Sequence, residues 1–221
     1  MEKLLLGMEH FRDQVYPQYR VTFKNLEHGQ NPLALFITCA DSRIDPSLLM
    51  QADPGDLFIC RNAGNLVPPY MEDGAVEATV EYAVDGLKIR DIVICGHSDC
   101  GAMKAALNPA STERLPAMRR WLRHAGRARR IALDAAHAEP LQALRCVTEE
   151  NVISQLDNLM TYPSVAAAEA RGEMNLYGWV YDIPSGTIRM WSPERGVFEP
   201  FDGTLPTLTS RHPRRREAVA A

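Results

Sequence analysis

The sequence predicts an α/β protein: a mainly parallel central β-sheet that is flanked by helices. Two observations lead to this fold class. Three short, continuous apolar runs have the composition of strands that are buried on both faces, and amphipathic helical patterns lie between and after them. A strand, a covering helix and a further strand in this order indicate parallel pairing of the strands.

Each predicted strand ends at a turn or at a polar segment. The three apolar runs are Leu33–Thr38, Leu57–Cys60 and Ile92–Cys95. Apolar residues at helical spacing over 76–87 predict a helix between the second and third runs. Later, 175–181 and 187–191 flank a Pro-Ser-Gly turn at 184–186, which predicts a hairpin that extends the sheet at one edge.

The two ends of the chain differ from this central part. Residues 1–30 predict a helical arm, which has apolar side chains near one face and Pro17 as an interruption. These apolar side chains are Leu4, Leu5, Met8 and Phe11. Residues 205–221 are basic and lack an apolar period, which favours a flexible tail. We therefore predict a single domain over 1–204, followed by the tail.

Composition and charge exclude several classes of protein. The 221 residues carry 24 basic and 28 acidic side chains, so binding to nucleic acid by overall charge is not expected. Seven arginines within 114–130 fit a solvated helix face or an anionic partner. The apolar runs are far shorter than the roughly 20 residues that a membrane helix needs. Five cysteines without a secretory signal favour reduced thiols and a cytoplasmic location.

Chemistry-bearing residues follow two of the predicted strands. The segments are 39–43, after the first strand, and 96–101, after the third. Ligands of open parallel sheets bind beyond the carboxyl ends of the strands, so we expect Cys39, His97 and Cys100 to meet at one edge. Two thiolates and an imidazole suit Zn²⁺ and leave a fourth position for water, as catalytic zinc sites do.

Each of these residues also has a plainer interpretation. A cysteine at the end of a strand is usually a small core residue, which is how we interpret Cys60 and Cys95. Asp41 and Arg43, taken alone, fit a surface ion pair. The occurrence of all these residue types in order, at two strand ends, favours the metal site.

In this arrangement the chain resembles the beta-class carbonic anhydrases. Their C-x-D-x-R motif corresponds to 39–43, and their H-x-x-C-G motif corresponds to 97–101. Four further segments are similar to that family: Pro54–Phe58, Arg61–Asn65, Glu81–Val84 and Gly178–Tyr181. The resemblance extends from about Gly29 to Trp191 and so covers most of the chain.

The resemblance implies a role for each matching residue. Cys39, His97 and Cys100 would be the zinc ligands, with Asp41 and Arg43 as an ion-paired dyad beside the metal. Asp41 would either accept a hydrogen bond from the attacking water or bind the metal and block the reaction, and Arg43 would hold it away. The implied substrate-binding residues are Gln30, Phe58, Ala63, Tyr82 and Gly101.

The implied function is a zinc-dependent carbonic anhydrase, which hydrates CO₂ reversibly to bicarbonate and a proton. The family's pocket lies at a dimer interface, so we expect a homodimer or a dimer of dimers, embraced by the arms. One branch of the family is regulated by bicarbonate and carries Trp where this chain has Phe36, although Arg61 and Tyr181 of that site are present. The sequence therefore favours the plant-like branch, whose site is open.

Two other functions are compatible with the same ligands. Hydrolases of COS or CS₂ resemble this family and keep the zinc ligands, but the set of Gln30, Phe58 and Tyr82 favours CO₂. A zinc-containing scaffold protein without catalysis would be expected to lack Asp41 or Arg43, and this chain has both.

Overall fold

The computed structural model describes residues 1–72, 74–135 and 139–204, and within these ranges six strands form one sheet. The strands are β1 (Ala34–Cys39), β2 (Leu57–Asn62), β3 (Asp91–His97), β4 (Asn175–Tyr181), β5 (Ile188–Ser192) and β6 (Val197–Pro200). Their order across the sheet is β2-β1-β3-β4-β5-β6. The pairs among β1 to β4 are parallel, whereas β5 and β6 are antiparallel to their neighbours. The predicted mainly parallel sheet is confirmed.

Helices cover the sheet and precede it. They are α1 (Glu2–His10), α2 (Tyr16–Leu26), α3 (Pro46–Met50), α4 (Gly74–Glu81), α5 (Gly101–Leu107), α6 (Pro116–Trp121), α7 (Gly126–Ala135), α8 (Pro140–Leu159) and α9 (Pro163–Ala170). Wider turns of the π type follow α1 and α4, at Phe11–Val15 and Tyr82–Gly86. None of the described helices combines the length and the apolar character that crossing a bilayer requires.

The predicted helical arm is confirmed, and Pro17 does not end it. Pro17 stands in the first turn of α2, where its missing backbone N–H costs no hydrogen bond within the helix. The π turn at Phe11–Val15 connects α1 to α2. The two helices of the arm contribute no buried residue. Leu5 is 55% exposed and Met8 is 68% exposed, so the apolar face of the arm is not covered by its own chain.

Two glycines bring α8 directly onto the centre of the sheet. A Cβ at Gly96 in β3 would lie 2.9 Å from a methyl group of Val152, and a Cβ at Gly178 in β4 would also lie 2.9 Å from Val152. Any larger residue at these positions would push the helix away. The close approach places the polar side chains of α8 beside the loop that follows β2.

The structure corrects one strand and adds another. The sequence predicts that the run at 57–60 is buried on both faces, but β2 is an edge strand of the described sheet and Ile59 is 38% exposed. A short apolar run does not show how many neighbours a strand has. The predicted hairpin is β4 and β5, but β6 pairs beyond it and forms the edge. The tail at 205–221 lies outside the described residues.

Candidate metal centre

The centre forms where two neighbouring strands end. Because β1 and β3 are parallel and adjacent, Cys39 and His97 complete the two strands at the same edge of the sheet. The chain then turns through Asp99, whose φ of 58° is left-handed, and Cys100 stands directly before α5. The potential ligand atoms of Cys39, His97 and Cys100 lie within 4.8 Å of one another, and no second group of this kind occurs among the described residues.

The three side chains fit a zinc ion. Cys39, His97 and Cys100 are 5%, 0% and 1% exposed, and the two sulfurs are 4.0 Å apart. His97 Nδ1 lies 2.9 Å from the Ser98 carbonyl oxygen, which only accepts, so Nδ1 carries the proton and Nε2 offers a lone pair. Nε2 is buried and has no hydrogen-bond partner. A buried acceptor left unpaired is costly, and a cation held with the two sulfurs removes that cost.

The two thiols are electrostatically coupled. The hydrogen bond with Cys100 lowers the pKa of Cys39, and the Gly64 N–H, whose nitrogen is 3.3 Å from the sulfur, lowers it further. The same hydrogen bond, together with burial, raises the pKa of Cys100. The pair therefore accepts one negative charge easily, and a divalent cation would allow it to accept the second.

Asp41 lies beside the centre but is held by Arg43. Arg43 Nε donates to Asp41 Oδ1 at 2.9 Å and Nη2 donates to Oδ2 at 2.8 Å, which keeps the pKa of Asp41 well below its usual range. Asp41 Oδ2 is 3.9 Å from His97 Nε2. Arg61 fixes the same loop, because its guanidinium donates to the carbonyl oxygens of Cys39 and Asp41 at 3.1 and 2.7 Å.

Asp99 is a second carboxylate that binds Arg43, and its contact was not predicted from the sequence. Arg43 Nη1 donates to Asp99 Oδ2 at 3.0 Å, and Arg43 Nη2 donates to the Asp99 carbonyl at 3.1 Å. Lys104 forms an ion pair with the other carboxylate oxygen, and these two cations lower the pKa of Asp99. The only signal in the sequence was an acidic residue inside the second motif, and nothing local showed that it faces Arg43.

Two of the predicted substrate residues form a pair away from this edge. The rings of Phe58 and Tyr82 have centroids 5.9 Å apart. Phe58 pairs in register with Leu35, which precedes Cys39 by four positions on β1. At 3.3 Å per residue, Phe58 is therefore about 13 Å from the strand end that carries Cys39. The structure brings the two aromatic rings together, but it does not bring them to the metal centre of the same chain.

The other three predicted substrate residues occupy different places. Gly101 follows Cys100 directly and begins α5. Ala63 follows β2, and its carbonyl accepts a hydrogen bond from Trp121 Nε1 at 2.8 Å. Gln30 is exposed in the segment between α2 and β1. The role of all five substrate residues stays a prediction.

Comparison with known proteins identifies relatives over nearly the whole chain. The sequence profile of the carbonic anhydrase family matches residues 34–188. A carbonic anhydrase of Pseudomonas aeruginosa is 49% identical over 189 residues, which are 85% of this chain and 86% of that protein. Carbonic anhydrase 1 of Escherichia coli O157:H7 is 45% identical over 201 residues, or 90% of this chain and 92% of that protein.

Solved structures show the same relationship. The beta-carbonic anhydrase CcaA has a TM-score of 0.88 and 41% identity, and the match covers 90% of this chain and 98% of that one. A Coccomyxa beta-carbonic anhydrase, solved in complex with acetazolamide, has a TM-score of 0.76 and 33% identity over 85% and 84% of the two chains. Tetrameric beta-carbonic anhydrases of Sordaria macrospora include one with a TM-score of 0.78 and 29% identity, over 86% and 96%.

Proposed function

The chain belongs to the beta-class carbonic anhydrases, and on that premise we propose that Cys39, His97 and Cys100 hold its zinc ion. The protein is a zinc-dependent enzyme that catalyses the reversible hydration of CO₂ to bicarbonate and a proton. One observation carries the ligand proposal: the buried His97 Nε2 lacks a hydrogen-bond partner and lies within 4.8 Å of the two sulfurs. When bound, zinc lowers the pKa of a water molecule from 15.7 to about 7.

Asp41 supplies a fixed hydrogen-bond acceptor next to the place where zinc and its water molecule would bind. A carboxylate accepts but does not donate while it is ionised, and the low pKa of Asp41 keeps it ionised at neutral pH. We propose that it orients the attacking water molecule toward the carbon of CO₂. Arg43 holds both carboxylate oxygens with its guanidinium and Oδ1 also with its backbone N–H, so Asp41 would have to give up these hydrogen bonds before it could bind the metal. This geometry supports the open form of the site.

The absence of a regulatory bicarbonate site is supported by two residues. Phe36 stands where the regulated branch carries Trp, and it is buried against the Trp179 ring with centroids 6.0 Å apart. A regulatory bicarbonate would need hydrogen bonds from Arg61, but the Arg61 guanidinium already donates to two backbone carbonyls of the Cys39–Asp41 loop. We therefore propose that this enzyme belongs to the open, plant-like branch.

We propose that the substrate pocket is completed by a second copy of the chain. CO₂ is small and apolar, so Phe58, Ala63 and Tyr82 need only form a dry slot, with Gln30 and the Gly101 N–H orienting the bicarbonate that forms. Phe58 is about 13 Å from the metal-binding end of its own β1, which favours a pocket shared between two chains.

The assembly we propose is a homodimer or a dimer of dimers. The exposed apolar side chains of the arm supply a surface for a partner, and relatives from Sordaria macrospora are tetrameric. The five cysteines, all within the described residues, are not joined by disulfides, which suits a reducing compartment, and we propose a cytoplasmic location.

Stopped-flow CO₂ hydration at pH about 7 and about 8.5, with zinc quantified in the same sample, tests the proposal. About one zinc per chain with turnover at both pH values is the expected result. Zinc with turnover only at the higher pH would contradict the open form. Zinc without turnover toward CO₂ would favour the COS and CS₂ hydrolases, which the same instrument can assay.

A further inference from the structure

One backbone N–H donates to a sulfur of the metal centre, and the carbonyl of the same peptide group accepts a hydrogen bond from a side chain. Gly64 N lies 3.3 Å from Cys39 Sγ. The carbonyl in the same peptide group belongs to Ala63, and it accepts a hydrogen bond from Trp121 Nε1 at 2.8 Å. Trp121 ends α6 and lies 58 positions after Ala63 in the chain. The indole N–H, the peptide group and the sulfur therefore form one hydrogen-bonded chain.

The peptide group on the other side of Gly64 is also held. The Gly64 carbonyl accepts a hydrogen bond from Asn151 Nδ2 of α8 at 2.9 Å. Gln155 Nε2 donates to Asn151 Oδ1 at 3.0 Å, which fixes the orientation of the Asn151 amide. Asn151 and Gln155 are both buried. Both peptide planes that meet at the Gly64 Cα are thus fixed by side chains from distant helices.

Glycine is required at this position by conformation and by space. Gly64 has a φ of +85°, which side chains rarely allow. A Cβ here would lie 3.0 Å from Ala102 Cβ and 3.0 Å from Met103 Cε, both in the helix that follows Cys100. The loop after β2 can therefore lie directly against α5, which puts its N–H within reach of the sulfur.

We propose that Trp121 and Asn151 are positioning residues for the metal centre, which aim the Gly64 N–H at the Cys39 sulfur. An N–H that donates to a thiolate draws electron density from it, so the sulfur donates less charge to a bound metal. A donor on the carbonyl of the same peptide group polarises the N–H and strengthens this effect. The proposal rests on the zinc site proposed above.

Cobalt substitution tests this role, because Co²⁺ bound to thiolates has a charge-transfer absorption that reports the electron density on sulfur. Trp121→Phe removes the indole N–H and keeps an aromatic ring. Trp179→Phe is the matched control, since Trp179 Nε1 is buried without a hydrogen-bond partner. We expect the charge-transfer band of Trp121→Phe to move to longer wavelength, because the sulfur donates more charge. Zinc affinity, measured by chelator competition, should fall about 10-fold, because the Cys39 sulfur is no longer held in its ligand position. Trp179→Phe should match the wild type in both.

A second pair of variants covers the case in which Trp121→Phe does not fold. Asn151→Leu removes the bond to Gly64. Asn158→Leu removes bonds of similar type from the same helix to the Val67 carbonyl at 2.8 Å and to Gln155 Oε1 at 3.2 Å. It leaves Gln155 Oε1 held by the Val67 N–H at 2.8 Å, so the Gln155 bond to Asn151 is retained. The proposal requires the band shift in Asn151→Leu and not in Asn158→Leu. Equal spectra in both members of a pair would show that these side chains only stabilise the fold. A wild-type protein that binds cobalt without a thiolate band would instead contradict the zinc site itself.

Discussion

The metal centre and the N-terminal arm differ in how far contacts within the chain stabilise them. At the centre, Cys39, His97 and Cys100 are nearly inaccessible, and their neighbours are braced by hydrogen bonds within the chain. The helices of the arm bury no residue and leave Leu4, Leu5 and Leu6 exposed. Buried polar groups need partners with specific geometry, whereas apolar surface only needs to be removed from water. We therefore propose that one chain forms the metal centre alone, whereas the arm is covered by a second chain.

Removal of a ligand should break the centre and have the largest effect. In Cys100→Ser we expect zinc affinity to fall by more than about 100-fold, because even outer-shell changes cost 10–100-fold. CO₂ hydration should fall with the zinc content, and the arm should still assemble. Cys146→Ser, at a thiol outside the centre, is the control. A full zinc complement in Cys100→Ser, measured by elemental analysis, would contradict the ligand proposal.

Removal of the Asp41 partner should separate metal binding from catalysis. Arg43→Met leaves the carboxylate free to turn toward the metal, so we expect zinc to remain while kcat/KM falls about 10- to 100-fold. Arg130→Met is the control, because Arg130 forms an exposed ion pair with Asp134 on α7. Unchanged turnover of Arg43→Met in stopped-flow assays would reject the role of the dyad.

A charge on the arm should affect assembly and spare the centre. A fully buried leucine contributes about 2 kcal/mol, and a symmetric dimer contains each leucine twice, so Leu5→Glu should weaken self-association about 1,000-fold. Sedimentation velocity should show smaller species that still carry about one zinc per chain. Leu133→Glu, at a similarly exposed leucine of α7, should sediment like the wild type. If Leu5→Glu also did so, the arm would not be the contact surface.

The smallest expected effect concerns pH: Asp41 should not titrate in the working range of the enzyme. Because the folded-state pKa of Asp41 is depressed, Asp41 stays ionised above its unfolded pKa of about 3.9 and takes up a proton only as the pH falls through the lower folded value. The ratio of kcat/KM between the wild type and Asp41→Asn should therefore be constant within about 2-fold from pH 5 to pH 8. A ratio that falls toward one near pH 6 would place the titration of Asp41 in the working range.

Much of the centre could be predicted from local sequence. Cys39 and His97 follow apolar runs, and parallel strands place their carboxyl ends at one edge, so the meeting of the two motifs followed from local patterns. The arm was predictable because its apolar side chains recur at helical spacing. Periodicity is a property of neighbouring residues, and a single sequence contains it fully.

Tertiary structure alone decided which strands lie at the edges and which distant polar groups meet. An apolar run at 57–60 has the same composition in a central strand as in the edge strand β2. Arg43 reaches Asp99 across 56 positions, and Asn151 reaches Gly64 across 87. Such bonds depend on the packing of α8 and α5 against the sheet, which involves the whole chain. The residue types that can bind a metal were thus visible in the sequence, while the groups that hold those residues in place were visible only in the fold.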